Sequence, residues 1–243
     1  MYFGENRTAE FEKWELYKVF ESNGKKGFTD WREEVVILPI YDFAQNFTQG
    51  LAMVKRDDKW GFIDADGNEV VPLQFESVYP FNQGIAAVRI DFKWGFIDKQ
   101  GKVVIPFNFD YVNPLGEVLI VVQIADKFGF INYQGQEVIP LKYENAVEFV
   151  NGFGQIKLNG KWGFVDESGV EIIPPKYDFS HSFSEGLAAV GIDGKFGYVD
   201  ESGNEVIPLL YDYAGSFFEG TAKVHLKERG KMFFIDRKGN EIE

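Results

Sequence analysis

The chain has 243 residues and contains 25 Lys and Arg against 38 Asp and Glu, a formal net charge of −13 at pH 7. This acidity argues against binding to nucleic acid or to anionic lipid, both of which need basic surfaces. With no cysteine and only two histidines, disulfides and Cys-based zinc sites are excluded and histidine catalysis is disfavoured, so we expect no catalytic residues, no metal and no cofactor.

Neither a membrane span nor an export signal is predicted. The longest apolar run, residues 118–122, is far shorter than the ~20 residues that a spanning helix needs. Residues 1–6 lack the charged segment and apolar stretch of a signal peptide. The chain is therefore expected to be soluble, either in the cytoplasm or exported after removal of a signal.

A short motif recurs along almost the whole chain. Its clearest form is Lys-Trp-Gly-Phe-Ile-Asp at residues 59–64, and successive copies lie 34 residues apart, except for a last interval of 36. We count seven copies, of which the two terminal ones are degenerate, beginning at Lys25, Lys59, Lys93, Lys127, Lys161, Lys195 and Lys231. This fixed period predicts a single repeat domain over residues 1–243. The positions that define the repeat are Trp60, Gly61, Phe62, Trp94, Gly95, Phe96, Phe128, Gly129, Phe130, Trp162, Gly163, Phe164, Phe196, Gly197 and Tyr198.

Each copy is predicted to form three short antiparallel strands. In the second copy, an apolar run at 50–55 precedes the motif strand, and a turn signal at 66–68 leads to a third run at 69–72. Pro72 recurs at Pro106, Pro140, Pro174 and Pro208, and because proline has no N–H, it marks the edge of a sheet. No segment shows helical periodicity.

Both faces of the motif strand are apolar, because Trp60 and Phe62 point to one face and Gly61 and Ile63 to the other. We expect neighbouring repeats to cover both faces. Gly61 is expected to let a ring from the next repeat lie against its backbone. The repeated lysines are expected to form ion pairs with the acid that follows the aromatic residue after each third run, such as Asp42, Glu76 or Asp110.

Two all-β architectures satisfy the period. One is an open β-solenoid or superhelix of three-stranded repeats, and the alternative is a closed seven-bladed β-propeller. A period of 34 is shorter than the ~40–50 residues of propeller blades, and degenerate end copies are typical of solenoid caps, so the open form is favoured.

Several residues are candidates for a functional role. Trp60, Trp94 and Trp162 could stack on sugar rings, but phenylalanine at the same position of other copies favours a packing role. Residues 64–69 resemble the start of a calcium loop, and the cations in equivalent turns favour a plain hairpin. His181 lies near Ser182 and Asp178, but no nucleophile elbow accompanies it. The irregular segment 113–124 breaks the repeat, and the sequence leaves its function open.

The combined pattern, Lys-Trp-Gly-Phe-Ile-Asp, then Gly, Glu-Val-Ile-Pro, Tyr-Asp, Phe and Gly-Leu-Ala-x-Val, resembles the WG (KWG) repeat of bacterial proteins over roughly residues 20–243. The resemblance implies a fold and a broad role, and it implies no catalytic residues. The chain departs from the pattern around residues 115–118 and at Phe233, which replaces the motif glycine.

These observations predict a non-enzymatic binding or scaffold module for a protein or peptide ligand. The alternative is a cell-surface or cell-wall glycan-binding module, and an enzyme that uses unrecognised carboxylate chemistry is a third possibility. The sequence leaves the ligand, the compartment and the oligomeric state open.

Overall fold

A computed structural model describes residues 12–116 and 118–242. Residues 1–6, on which the expected lack of an export signal rests, lie outside this part of the chain. The chain divides into two compact units, Met1–Asn108 and Phe109–Glu243. The division falls inside the repeat array rather than at a linker, and the single repeat domain stays a prediction. Within the described residues, no helix has the length and apolar character to cross a membrane.

The first unit contains three antiparallel sheets, each hydrogen-bonded in chain order. Sheet 1 contains β1 (Lys18–Ser22), β2 (Lys25–Thr29) and β3 (Val35–Tyr41). Sheet 2 contains β4 (Phe43–Ala44), β5 (Ala52–Arg56), β6 (Lys59–Ile63) and β7 (Glu69–Phe75). Sheet 3 contains β8 (Ser77–Val78), β9 (Ile85–Ile90), β10 (Lys93–Asp98) and β11 (Val103–Phe109). A 3₁₀ turn, Lys13–Leu16, precedes β1.

The second unit contains four such sheets. Sheet 4 contains β12 (Tyr111–Asn113), β13 (Ile120–Ile124), β14 (Lys127–Ile131) and β15 (Glu137–Tyr143). Sheet 5 contains β16 (Asn145–Val150), β17 (Phe153–Leu158), β18 (Lys161–Asp166) and β19 (Glu171–Tyr177). Sheet 6 contains β20 (Phe179–Ser180), β21 (Leu187–Ile192), β22 (Lys195–Asp200) and β23 (Glu205–Tyr211). Sheet 7 contains β24 (Tyr213–Ala214), β25 (Thr221–Leu226), β26 (Lys231–Asp236) and β27 (Glu241–Ile242), with a 3₁₀ turn, Lys227–Arg229, between β25 and β26.

The predicted tandem antiparallel β-repeats are confirmed, and sheets 2–7 each add a first strand before the three predicted ones. This first strand has two or three residues, except for the six-residue β16 of sheet 5. In sheet 2 this strand follows the aromatic–acid pair, and Ala44 pairs with Val54 of β5. The short strand was missed in the sequence because two residues are too few to show an alternating pattern. The added strand makes each complete repeat a four-stranded antiparallel sheet.

Buried side chains of successive sheets form shared cores within each unit, as the two apolar faces of the motif strand predict. One such core joins sheets 5 and 6 and contains Phe164, Ile173, Tyr177, Phe183, Ala188, Val190 and Val199. An equivalent core in the first unit joins sheets 1 and 2 and contains Phe28, Ile37, Tyr41, Phe47, Val54 and Ile63. Each sheet therefore depends on its neighbour for cover.

Candidate functional site

The motif glycine faces the backbone of the outer strand of its own sheet. A Cβ on Gly61 would lie 2.5 Å from Val71 O and 2.8 Å from Pro72 O, and one on Gly129 would lie 2.6 Å from Ile139 O. The expectation that a ring of the next repeat lies on this glycine is therefore wrong. The outer strand comes this close because it bulges: in sheet 2, the two-residue step from Trp60 to Phe62 pairs with the four-residue step from Phe75 to Val71.

The motif tryptophans are packed between neighbouring side chains. Trp94 is buried, and Trp60 and Trp162 are half-buried. The Nζ atom of Lys55 lies 5.8 Å from the ring centre of Trp60, and that of Lys157 lies 5.5 Å from Trp162. These three rings therefore do not form the exposed row that a sugar-stacking surface requires.

A buried phenylalanine lies near the end of the first strand of a sheet or shortly after it. Its ring covers the ring at the second aromatic position of the preceding motif. The ring centres lie 4.7–5.2 Å apart in five such pairs. The pairs are Phe28–Phe47, Phe62–Phe81, Phe130–Phe149, Phe164–Phe183 and Tyr198–Phe217. We call the second member of each pair the covering phenylalanine.

At Asp42, Asp178 and Asp212, the acid that follows the aromatic residue joins two successive repeats. Asp178 accepts a hydrogen bond from Lys161 in sheet 5 and another, of 3.0 Å, from the backbone N–H of Asp193 in a turn of sheet 6. The predicted ion pairs are confirmed for Lys25–Asp42, Lys161–Asp178 and Lys195–Asp212. Glu76 instead binds Arg89, with 3.1 Å between Oε2 and Nε.

These contacts hold the acids in the ionised form. The lysine hydrogen bond and then the backbone N–H lower the pKa of the Asp42, Asp178 and Asp212 carboxyls. Because the folded pKa lies below the unfolded value of about 3.9, the stability that they contribute is present above that value. It is lost as the pH falls through the folded pKa.

We accordingly expect Asp178→Asn to lower the urea midpoint at pH 7. The difference from the wild type should shrink on acidification to pH 3, because this carboxyl is then largely protonated in the unfolded wild type and folding must release that proton. Urea titrations of both proteins at the two pH values measure this effect. Lys161→Met is the companion variant, and it should reproduce part of the loss at pH 7. A difference of the same size at both pH values would contradict the proposed role of the charge.

The candidate calcium loop is a hairpin turn. Oδ1 of Asp64 accepts hydrogen bonds of 2.9 Å from the backbone N–H groups of Asp66 and Asn68. The same pair of bonds is made by Asp30, Asp98, Asn132, Asp166, Asp200 and Asp236. The described residues contain no group of three or more His, Asp or Glu arranged to hold a metal ion. The side-chain oxygen at this position therefore stabilises the hairpin turn by accepting its backbone hydrogen bonds.

The residues around His181 are directed to different partners. Nδ1 of His181 lies 3.2 Å from Oγ of Ser216, whereas Asp178 is bound to Lys161 and the backbone of Asp193. Burial lowers the pKa of the His181 ring. The structure thus does not assemble His181 and Asp178 into a catalytic triad.

The irregular segment is where the covering phenylalanine is lost. Leu115 occupies its position and is 66% exposed, whereas Phe183 in the equivalent place is 2% exposed. Tyr133 is buried beside this segment, and its hydroxyl donates a hydrogen bond of 2.6 Å to Gly116 O. Sequence reasoning missed Tyr133, although aligning the copies shows a tyrosine where others have tryptophan, alanine, lysine, glutamate or arginine.

A cavity of about 340 Å³ opens at the irregular segment. Leu115, Val118 and Val150 form an apolar part of its wall, and Glu148 and Glu167 supply carboxylates. Oε2 of Glu148 accepts a hydrogen bond of 3.1 Å from Asn113, which fixes its direction. The cavity lies within the size range of small-ligand sites, and it combines exposed apolar groups with negative charge.

The sequence profile of the family described as "WG containing repeat" matches six consecutive spans, residues 32–60, 60–93, 94–128, 128–162, 162–196 and 196–227. The chain belongs to this family of WG repeats. The irregular copy falls within the third matched span, so the cavity is formed beside a genuine WG repeat. Among curated proteins, none shows significant sequence similarity to the chain.

A solved structure of low sequence identity shares the fold. A structure titled "Crystal structure of the eukaryotic initiation factor" superposes with a TM-score of 0.53 at 9% identity, covering 94% of this chain and 73% of that one. Hsv2p of Kluyveromyces lactis gives a TM-score of 0.42 at 12% identity, covering 78% of this chain and 71% of that one. The WG-repeat chain is thus a β-rich repeat protein whose four-stranded sheets resemble those of propeller-like structures.

Proposed function

We propose that this WG-repeat protein is a non-enzymatic binding module, and that it recognises a protein or peptide ligand at the cavity beside the irregular repeat. The observation that carries the proposal is the exchange of a buried covering phenylalanine for the exposed Leu115 at the mouth of a cavity. An exposed apolar residue at a position that is otherwise buried leaves surface for a ligand to cover.

The walls of the cavity indicate the chemistry of the ligand. Leu115, Val118 and Val150 suit an apolar stem, and the carboxylates of Glu148 and Glu167 suit a positive group at its end. Lysine and arginine side chains combine these two properties. The net charge of −13 would also attract a basic ligand during encounter. We therefore infer a peptide segment with a basic residue between apolar ones.

The non-enzymatic character is supported by the roles of the shifted carboxyls. The lowered pKa values of Asp166, Asp178 and Asp200 have structural causes, namely hydrogen bonds from turn residues or from a lysine. A carboxyl that acts as a general acid near neutral pH needs a raised pKa instead. The glycan-binding alternative has no comparable support, because the motif tryptophans are packed.

A peptide-binding assay tests this proposal. Nine-residue peptides with a central lysine or arginine between apolar residues are compared with matched peptides that carry a central glutamate. We expect the basic peptides to bind and Leu115→Ala to weaken binding about tenfold, which corresponds to about 1.4 kcal/mol. Leu210→Ala is the control, because Leu210 is 58% exposed on a regular outer strand.

A charge-removing variant and a co-sedimentation assay distinguish the peptide site from the glycan-binding alternative. Glu167→Gln should weaken the basic peptides and reduce the salt dependence of binding, whereas Glu201→Gln should leave both unchanged. Equal affinity of Leu115→Ala and Leu210→Ala would overturn the cavity as the site. Co-sedimentation with peptidoglycan or insoluble glucan, without peptide binding, would favour the glycan alternative.

A further inference from the structure

The outer strand of sheet 1, β3, differs from the outer strands of sheets 2–6 at one position of its edge. A proline recurs there every 34 residues, at Pro72, Pro106, Pro140, Pro174 and Pro208. In β3 this position is Leu38, and the proline follows one residue later as Pro39. Among the described residues, β3 pairs with β2 alone, so its other side is a sheet edge. The period assigns the segment that precedes β1 to the opposite edge, beside β1, as β4 lies beside β5 in sheet 2.

The backbone geometry directs the N–H of Leu38 out of the sheet. A Cβ on Gly27 would lie 2.4 Å from Ile37 O, so this carbonyl points toward β2. In a planar trans peptide the C=O and the following N–H point in opposite directions, and the Leu38 N–H therefore points toward the open edge. The same carbonyl faces the motif glycine in sheets 2–6, at 2.4–2.9 Å from the added Cβ. There the next residue is proline, which has no N–H to donate.

The side chains along this edge are apolar and exposed. Val35 is 52% exposed, Leu38 67% and Ile40 43%. In the five other strands, the Val35 position is glutamate in four, and the Ile40 position is glutamine, asparagine or lysine in four. Charged residues and outward-facing prolines protect natural sheet edges from pairing with another chain. Residues 35–41 of β3 carry no charge, and their proline is displaced from the outward position.

We propose that the protein forms a twofold dimer, in which β3 pairs antiparallel with β3 of a second copy and the two copies of sheet 1 become one continuous sheet. Main-chain hydrogen bonds across the two edges and contacts between the exposed apolar side chains hold the pair together. The contact lies in the first unit and does not depend on the peptide-binding cavity.

A second copy is the occupant because strand addition needs a partner edge that is extended, apolar and open. Of the six outer strands compared above, β3 is the one that has an N–H at the outward position, so β3 itself meets this requirement. Antiparallel pairing about Leu38 brings Val36 of each copy opposite Ile40 of the other, which places apolar side chains together and no charge between them. Both copies contribute the same edge, and association therefore closes at the dimer.

Sedimentation velocity of the full chain over a range of concentrations tests the proposal. We expect a reversible monomer–dimer equilibrium, and we expect Leu38→Pro to weaken it at least tenfold because the outward N–H is removed. Sheet 5 has Pro174 and Pro175 at the positions of Leu38 and Pro39, so two successive prolines are compatible with the repeat.

A second variant keeps the test decisive if Leu38→Pro unfolds sheet 1. Ile40→Lys introduces the residue that Lys142 and Lys176 supply at this position of other outer strands. We expect it also to weaken the dimer at least tenfold, because pairing would take the new charge out of water. Leu210→Lys is the matched control and should leave the equilibrium unchanged, because Leu210 is 58% exposed at the same position of β23, a strand that keeps its outward proline.

Circular dichroism and urea midpoints establish which variants are folded. A wild-type chain that stays monomeric at every concentration would overturn the proposal. A dimer that Ile40→Lys leaves intact, or that Leu210→Lys weakens equally, would overturn it as well, because the contact would then lie away from β3. Assemblies that keep growing beyond the dimer would contradict the twofold pairing.

Discussion

Phe183→Ala is expected to lower the free energy of unfolding by about 3–5 kcal/mol, the usual cost of removing a large buried aromatic side chain. Phe183 is 2% exposed, and its ring centre lies 4.6 Å from that of Phe153 and 4.8 Å from that of Phe164. It joins sheets 5 and 6, so the resulting cavity lies in a core that two repeats share. Urea unfolding followed by tryptophan fluorescence measures the effect.

Phe218→Ala is the matched control for this prediction. Phe218 directly follows a covering phenylalanine, Phe217, and is 72% exposed. Its removal should change the free energy of unfolding by no more than about 0.5 kcal/mol, as is usual for surface positions. Similar losses in Phe183→Ala and Phe218→Ala would contradict the assignment of Phe183 to the core.

Gly129→Ala is expected to destabilise the protein by about 3 kcal/mol, at the upper end of the range for overpacking a well-packed site. The added Cβ would lie 2.6 Å from Ile139 O and 2.8 Å from Leu141 N, and both atoms belong to the backbone of β15. Backbone atoms cannot rotate away as a flexible side chain can, so the bulge of β15 must shift. Urea unfolding gives the size of the loss, and hydrogen exchange locates it.

Gly215→Ala provides the comparison for this substitution. Its Cβ would meet Lys223 O at 3.4 Å, an ordinary contact, and its backbone does not need positive φ. We expect at most about 0.5 kcal/mol of change, as at other tolerant positions. If Gly129→Ala proved equally mild, the glycine would not be required by the close approach of the outer strand.

The regular and irregular positions of the repeat have different roles. Side chains at the regular positions make structural contacts. The covering phenylalanines fill the cores, and the acids join successive repeats. The side chain at the sixth motif position accepts hydrogen bonds from its own turn. The exposed group with unusual surroundings, Leu115, lies where the period is broken. The proposed peptide site lies at this departure, since the regular contacts are already satisfied.

Much of the fold could be predicted because the period is itself a structural constraint. The spacing of the lysines, the turn glycines and the prolines located the three long strands of each repeat, and the alternation of apolar residues along Trp60–Ile63 required cover on both faces. The ion pairs of Lys161 and Lys195 followed from the same register, since each acid recurs at a constant distance from its lysine. Local patterns of this kind depend on nearby residues only.

The tertiary structure decided what depends on contacts between distant residues. The role of Gly61 could not be inferred from the sequence, because the bulge that brings Val71 O against it arises from the pairing of two strands. The first strands of sheets 2, 3, 6 and 7 have only two residues, which is too short for an alternating pattern in the sequence. The exposed Leu115 at the cavity could be recognised only by comparison with the buried phenylalanines at the equivalent positions of other repeats. The sequence by itself determined the repeating sheet, and packing between strands and sheets decided which positions remain open to a partner.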